Sequence, residues 1–153
     1  MNQVEQVEIK KDDDLIKNER VKALKNHLEL NDEEVNQITL ENGEYFHFGD
    51  KEYLVLTEDE AEKKATDYIK QSVWAFNSSF LSSHTGIDED VFKLLSEKCE
   101  SSNDAILSMI KDFDHFVGDA ISTDGRGHFI STYDSYENIE EINGDEYFIY
   151  RTN

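Results

Sequence analysis

The stretch Asp124-Gly125-Arg126-Gly127-His128 packs chemically capable residues into five positions, and Arg126 is the only lysine or arginine between Lys111 and Arg151. A guanidinium flanked by glycines can hold an anion against exposed backbone N–H groups, and a neighbouring imidazole can carry a proton near neutral pH. A phosphate cradle, however, opens a helix, so that N–H groups and the helix dipole meet the anion. The letters that follow, "HFISTYD", read as strand or loop instead. Two readings therefore stand side by side. In one, Arg126 and His128 line a small binding pocket with Tyr133 and Asp134, bordered by Asp124. In the plainer one, Gly125 and Gly127 supply positive φ at a structural turn, and Arg126 pairs with one of many nearby acids.

Other chemistry is thinner. His27, His47, His84, His115 and His128 include no His-x-x-x-His pair and no zincin pattern, so any metal site has to be assembled in three dimensions. No metal and no cofactor is assigned. Asp112 and Asp114 begin like a calcium loop, but the later ligand and glycine are missing and the segment reads as helix. A lone Cys99 excludes an internal disulfide and points to a reducing compartment. No Gly-x-Ser-x-Gly elbow is present, and His84 in "SSHTG" suits a helix C-terminus. No catalytic residue is assigned.

The charge balance says more. Of 35 acidic and 15 basic residues, residues 1–30 hold 7 and 6, which leaves 28 against 9 for residues 31–153. A body of that sign repels nucleic acid and anionic lipid and speeds encounter with basic partners. With no signal-like start and no apolar run near membrane length, the sequence predicts a cytoplasmic chain with no membrane and no direct nucleic-acid contact.

Periodicity supplies the scaffold. Residues 1–30 form an N-terminal arm, in which Asp12 to Asp14 open an amphipathic helix through Leu15, Ile16, Leu24 and Leu28. Its basic cluster of Lys17, Arg20, Lys22 and Lys25 is either a solvated face or a partner-binding arm. Residues 31–153 form one acidic α+β domain. Asn42-Gly43 and Gly49-Asp50 predict a three-stranded meander at 37–41, 44–48 and 51–56, and Asn143-Gly144 predicts a C-terminal hairpin. Thr57 with Glu60 is a capping box for a helix running to about Ser83 on Ala61, Ala65, Tyr68, Ile69, Val73, Phe76 and Phe80, stopped by Gly86. Asp88 caps a short helix through Leu94, Leu95 and Cys99. A third helix runs from Ser101–Asn103 to Gly118. The expected fold is α+β, an antiparallel sheet of meander plus hairpin against a layer of about three helices on one face.

The segments "IKQSVWAFNSSFLSSHTG" and "AISTDGRGHFISTYDSYENIEEINGDEYFIYRTN" resemble a family of small uncharacterised proteins encoded by bacteriophages and other mobile elements. The pattern is Gly-Arg-Gly-His-Phe, then Tyr-Asp, then a closing aromatic-Ile-Tyr-Arg-x-Asn, and it covers roughly residues 57–153. The resemblance implies a phage setting and transfers no activity. With the charge, it leads to the expectation of an acidic binding protein that inhibits or regulates a host nucleic-acid-handling or defence protein, such as a nuclease, by docking on its basic site. The alternative is a small enzyme or ligand-binding domain around Arg126 and His128. A third reading is a host-takeover or virion accessory role, against which the sequence offers nothing, and exposed strand edges or the C-terminal hairpin could pair chains into a homo-oligomer.

Overall fold

The computed structural model describes residues 17–153; Asp12 to Ile16 of the expected arm helix lie outside them. The fold is α+β, built on one five-stranded antiparallel sheet in the order β1-β2-β3-β5-β4. The strands are β1 (Thr39–Glu41), β2 (Tyr45–Phe48), β3 (Lys51–Leu56), β4 (Asn138–Ile142) and β5 (Asp145–Arg151). Asn143 and Gly144 have φ of 54° and 87°, the pair of positive values a type I′ hairpin needs, and they set Ile142 opposite Asp145. The meander and the hairpin join along β3 and β5, where Tyr53 faces Arg151 and Leu56 faces Phe148.

Because side chains alternate along a strand, this pairing makes two cores. Leu54, Leu56, Phe148 and Tyr150 point to one face, Tyr53, Val55, Tyr147 and Ile149 to the other. The first face receives α3 (Glu58–Gln71), whose buried stripe of Ala61, Ala65 and Ile69 is small enough for close approach to the strands. The second face is covered by α1, a helix over residues 17–28 that buries Ala23 and Leu24 completely. Helices therefore lie on both faces of the sheet. The arm helix is a structural layer, and burying a leucine of this kind contributes about 2 kcal/mol. Arg20 from the basic cluster is used internally: its guanidinium donates to both Glu60 carboxylate oxygens, at 2.7 and 2.8 Å, and to the Val55 carbonyl at 3.0 Å.

The Thr57–Glu60 capping box is present. The helix it starts ends at Gln71, well short of Ser83. A 3-10 turn at Val73–Ala75 follows, then α4 (Ser78–Thr85), capped by Asn77 and closed by Gly86. The break is held from outside, since the Asn103 side chain donates to the Lys70 carbonyl at 2.9 Å and accepts the Trp74 N–H at 3.3 Å. A distant amide thus satisfies groups that an unbroken helix would have paired internally. Tyr68, expected on the buried stripe, is half exposed.

Asp88 caps α5 (Glu89–Ser96), and the expected third helix is two. α6 (Asn103–Met109) stops where Ile110 is extended, and Asp112 accepts the His115 N–H to cap α7 (Phe113–Asp124), which runs straight through Gly118. Its stop is Gly125. With the short α2 (Asp32–Val35), these elements position everything that follows. No helix among the described residues is long and apolar enough to cross a membrane.

Candidate functional site

Gly125 sits at φ 81° and ψ 154°, a region that only glycine enters without strain, and the chain reverses there into a further helix, α8 (Arg126–Ile130). Residues 126–130 are therefore helical, not the strand or loop that "HFISTYD" suggested. Gly127 has no positive φ. Its role is steric, because a β-carbon there would lie 2.4 Å from the Ser135 carbonyl oxygen and 2.7 Å from the Tyr136 carbonyl carbon. α8 can sit under the 135–137 segment only because residue 127 lacks a side chain.

That seating delivers Arg126 into a clamp of carboxylates. Its Nε and Nη2 donate to Glu137 at 2.9 and 3.2 Å, and its Nη1 and Nη2 donate to Glu58 at 2.6 and 3.2 Å. The guanidinium also lies over the Phe148 ring, 4.6 Å from its centre. Its side chain is 9% exposed. Burial pulls the Arg126 pKa down, but the hydrogen bonds to Glu137 and Glu58 outweigh it and hold the group above its ordinary value. Tyr150 donates its hydroxyl to the same Glu137, and burial with that bond raises the phenol pKa. Every N–H face of Arg126 that points inward is thus engaged by the protein itself.

The other expected pocket residues go elsewhere. His128 is exposed and borders a shallow depression of about 320 Å³ with Tyr68, Phe76, Asp124 and Phe129. Tyr133 is exposed and carries the Arg151 guanidinium on its ring at 3.4 Å. Asp134 accepts the Tyr136 N–H at 3.0 Å and lies 2.8 Å from Ser131 Oγ, closing a turn. No hydrogen bond, ion pair or ring contact among the described residues joins Arg126 to His128, Tyr133 or Asp134.

A broad concavity lies at the end of the sheet where α1, the start of α3 and the β4–β5 turn meet. It is a depression of about 690 Å³, and six carboxylates line it: Glu19, Glu58, Asp59, Glu141, Asp145 and Glu146. No lysine or arginine is among its lining residues. Glu19 is fixed there by the Tyr147 hydroxyl and the Asn143 amide, which hold its pKa below the usual carboxylate value. Burial and the Glu19 bond in turn push Tyr147 up to about 12. Sequence reasoning could count these acids but not collect them, since they come from three elements spread between positions 19 and 146 of the chain.

Among the described residues, two clusters bring metal-capable donors together, His84 with His115 and Asp119, and Glu41 with His47 and Glu52. The sequence carried one signal of the first, the four-residue spacing of His115 and Asp119 on one helix face, which a search for paired histidines passes over.

No protein-family model matches the chain, and no curated protein or solved structure shows significant similarity to it.

Proposed function

We propose that this chain is a binding protein that docks its acidic depression and the surrounding carboxylates on a basic site of another protein. The observation that carries this reading is the lining of the depression, where six carboxylates from α1, α3 and the β4–β5 hairpin converge and, among the described residues, only Glu58 has an ion-pair partner, Arg126. An open concavity ringed by carboxylates suits lysine and arginine side chains from a partner better than a small apolar ligand, which needs an enclosed pocket. The chain-wide charge of −20 adds long-range attraction to the same partners and repulsion of nucleic acid itself. A nucleic-acid-handling protein is the partner class we infer, since its phosphate-binding surface is basic by necessity. The resemblance of residues 57–153 to phage-encoded proteins makes a host nuclease or defence protein the first choice within that class.

The test compares the wild type with a variant carrying Asp59→Asn, Glu141→Gln, Asp145→Asn and Glu146→Gln, which leaves the Arg126 clamp intact. Both are immobilised, and basic nucleic-acid-binding proteins of a bacterial lysate are captured at low salt and eluted by a salt gradient. We expect the wild type to retain a partner that elutes as ionic strength rises, and the variant to lose it. Equal retention by both proteins, or retention indifferent to salt, would overturn the reading.

A further inference from the structure

His84, His115 and Asp119 form a cluster that the acidic docking surface does not use. His84 lies in the last turn of α4, and His115 and Asp119 stand one turn apart on α7, so the two helices meet at these three side chains. Both imidazoles direct Nε2 at the same oxygen, Asp119 Oδ2, His84 from 2.9 Å and His115 from 3.7 Å. One donor atom from each residue lies within 4.8 Å of the other two. Zinc with bonds of about 2.0–2.1 Å in tetrahedral geometry keeps neighbouring donors about 3.3 Å apart. The observed spacings bracket that value, and the exposed His115 ring is free to turn and close the wider gap.

We propose that His84, His115 and Asp119 bind a zinc ion that fastens α4 to α7, with its remaining position open to solvent. The i,i+4 spacing on α7 brings His115 to Asp119, and the end of α4 brings His84 to the same oxygen, so three donors converge from two helices. Two imidazole lone pairs and one carboxylate charge, by contrast, make a set suited to a borderline-soft divalent cation, whereas magnesium or calcium prefers oxygen donors alone. His84 is preset for the task. Its side chain is only 7% exposed, and its ring is fixed between Phe80 and Phe116, with centres 4.8 and 5.0 Å away. The Lys111 N–H reaches the His84 carbonyl at 3.5 Å, which holds the α6–α7 link against the end of α4. The other two donors face water, with side-chain exposures of 63% for His115 and 47% for Asp119, and this gives the ion a path in. The cluster Glu41, His47 and Glu52 offers a single nitrogen and suits zinc less well.

The test titrates the metal-free full chain with Zn2+ by calorimetry and with Co2+ by visible absorption, in millimolar Mg2+ to occupy the diffuse acidic surface. His115→Ala and Asp119→Asn are the primary variants, because His115 is exposed, Asp119 is only half-buried and neither belongs to the core; His47→Ala probes the other cluster. We expect one tight equivalent per chain, the d–d bands of cobalt held by nitrogen and oxygen, and affinity weakened at least about tenfold in both primary variants but not in His47→Ala. The melting temperature should rise with Zn2+ in the wild type and not in the primary variants. Absence of a tight equivalent, unchanged affinity in His115→Ala and Asp119→Asn, or a loss that follows His47→Ala would each overturn the assignment.

Discussion

Gly127 and Gly118 show how differently one residue type behaves within a few positions of the same chain. A β-carbon on Gly127 would meet the backbone of Ser135 to Glu137, which cannot swing aside as a side chain can. Gly127→Ala should therefore destabilise the protein by about 1–3 kcal/mol, the usual penalty for overpacking. Gly118 is helical with open space around it, and Gly118→Ala should add about 0.5–1 kcal/mol by removing unfolded-state freedom. Urea denaturation of the pair reads both signs. Arg126 is the second test at this scale. Arg126→Ala leaves Glu137 and the Tyr150 hydroxyl without their cation, and a loss of about 3 kcal/mol is expected from breaking a buried pair. Glu58 is exposed and contributes little of that, so Glu58→Gln should cost under about 1 kcal/mol in the same measurement.

At the scale of elements, α1 is the part whose role changed most between sequence and structure. Its Leu24 fills the second core against Tyr53, Val55, Tyr147 and Ile149. Leu24→Ala should cost about 2–5 kcal/mol, read by thermal denaturation, whereas the same change in a solvated arm would cost almost nothing. The helix is also tied down by charge. Glu60 feels burial first, which raises its pKa, but the Arg20 hydrogen bonds outweigh this and hold it low; Glu19 is held low by Tyr147 and Asn143. A carboxyl with a lowered folded pKa contributes stability above its unfolded value of about 4.3 and loses it as pH falls through the folded value. Tyr147 works in the opposite direction. Raised to about 12, it contributes stability below its ordinary pKa of about 10 and loses it between the two. Protection of the α1 amides, taken relative to their intrinsic exchange rates, should therefore be highest from about pH 5 to 9 and fall beyond both ends, earlier than that of β3 and β5. Equal protection of α1 and the central strands at every pH would count against this lock.

For the whole molecule, 35 acids against 15 bases mean that folding brings like charges together. Added salt should raise the melting temperature, because screening relieves self-repulsion more than it weakens the few exposed ion pairs. The same salt should weaken partner binding at the acidic depression. Stability and association would then move in opposite directions along one salt titration, a pairing that a calorimetric scan and a binding assay can follow on one sample. Among the described residues β1 and β4 are the edges of the sheet, and Glu140 and Glu141 on β4 discourage the addition of another strand.

The sequence by itself determined what depends on near neighbours. Asn-Gly pairs force their turns through positive φ, the Thr57 and Glu60 side chains cap the backbone three residues away, and alternation marks strands whose faces are both buried. The α+β class follows from those local rules. What only the tertiary structure decided rests on groups far apart in the chain. Asn103 breaks the long helix predicted through Ser83, Leu24 turns an arm into a core layer, and Gly127 brings Arg126 to Glu58 and Glu137 rather than to an open pocket. The acidic depression and the His84, His115 and Asp119 cluster are of the same kind, since their residue types were legible and their meeting was not. A local pattern fixes backbone conformation over a few residues, whereas a site needs side chains from separate elements within a few ångströms, and only packing of the whole chain sets that distance.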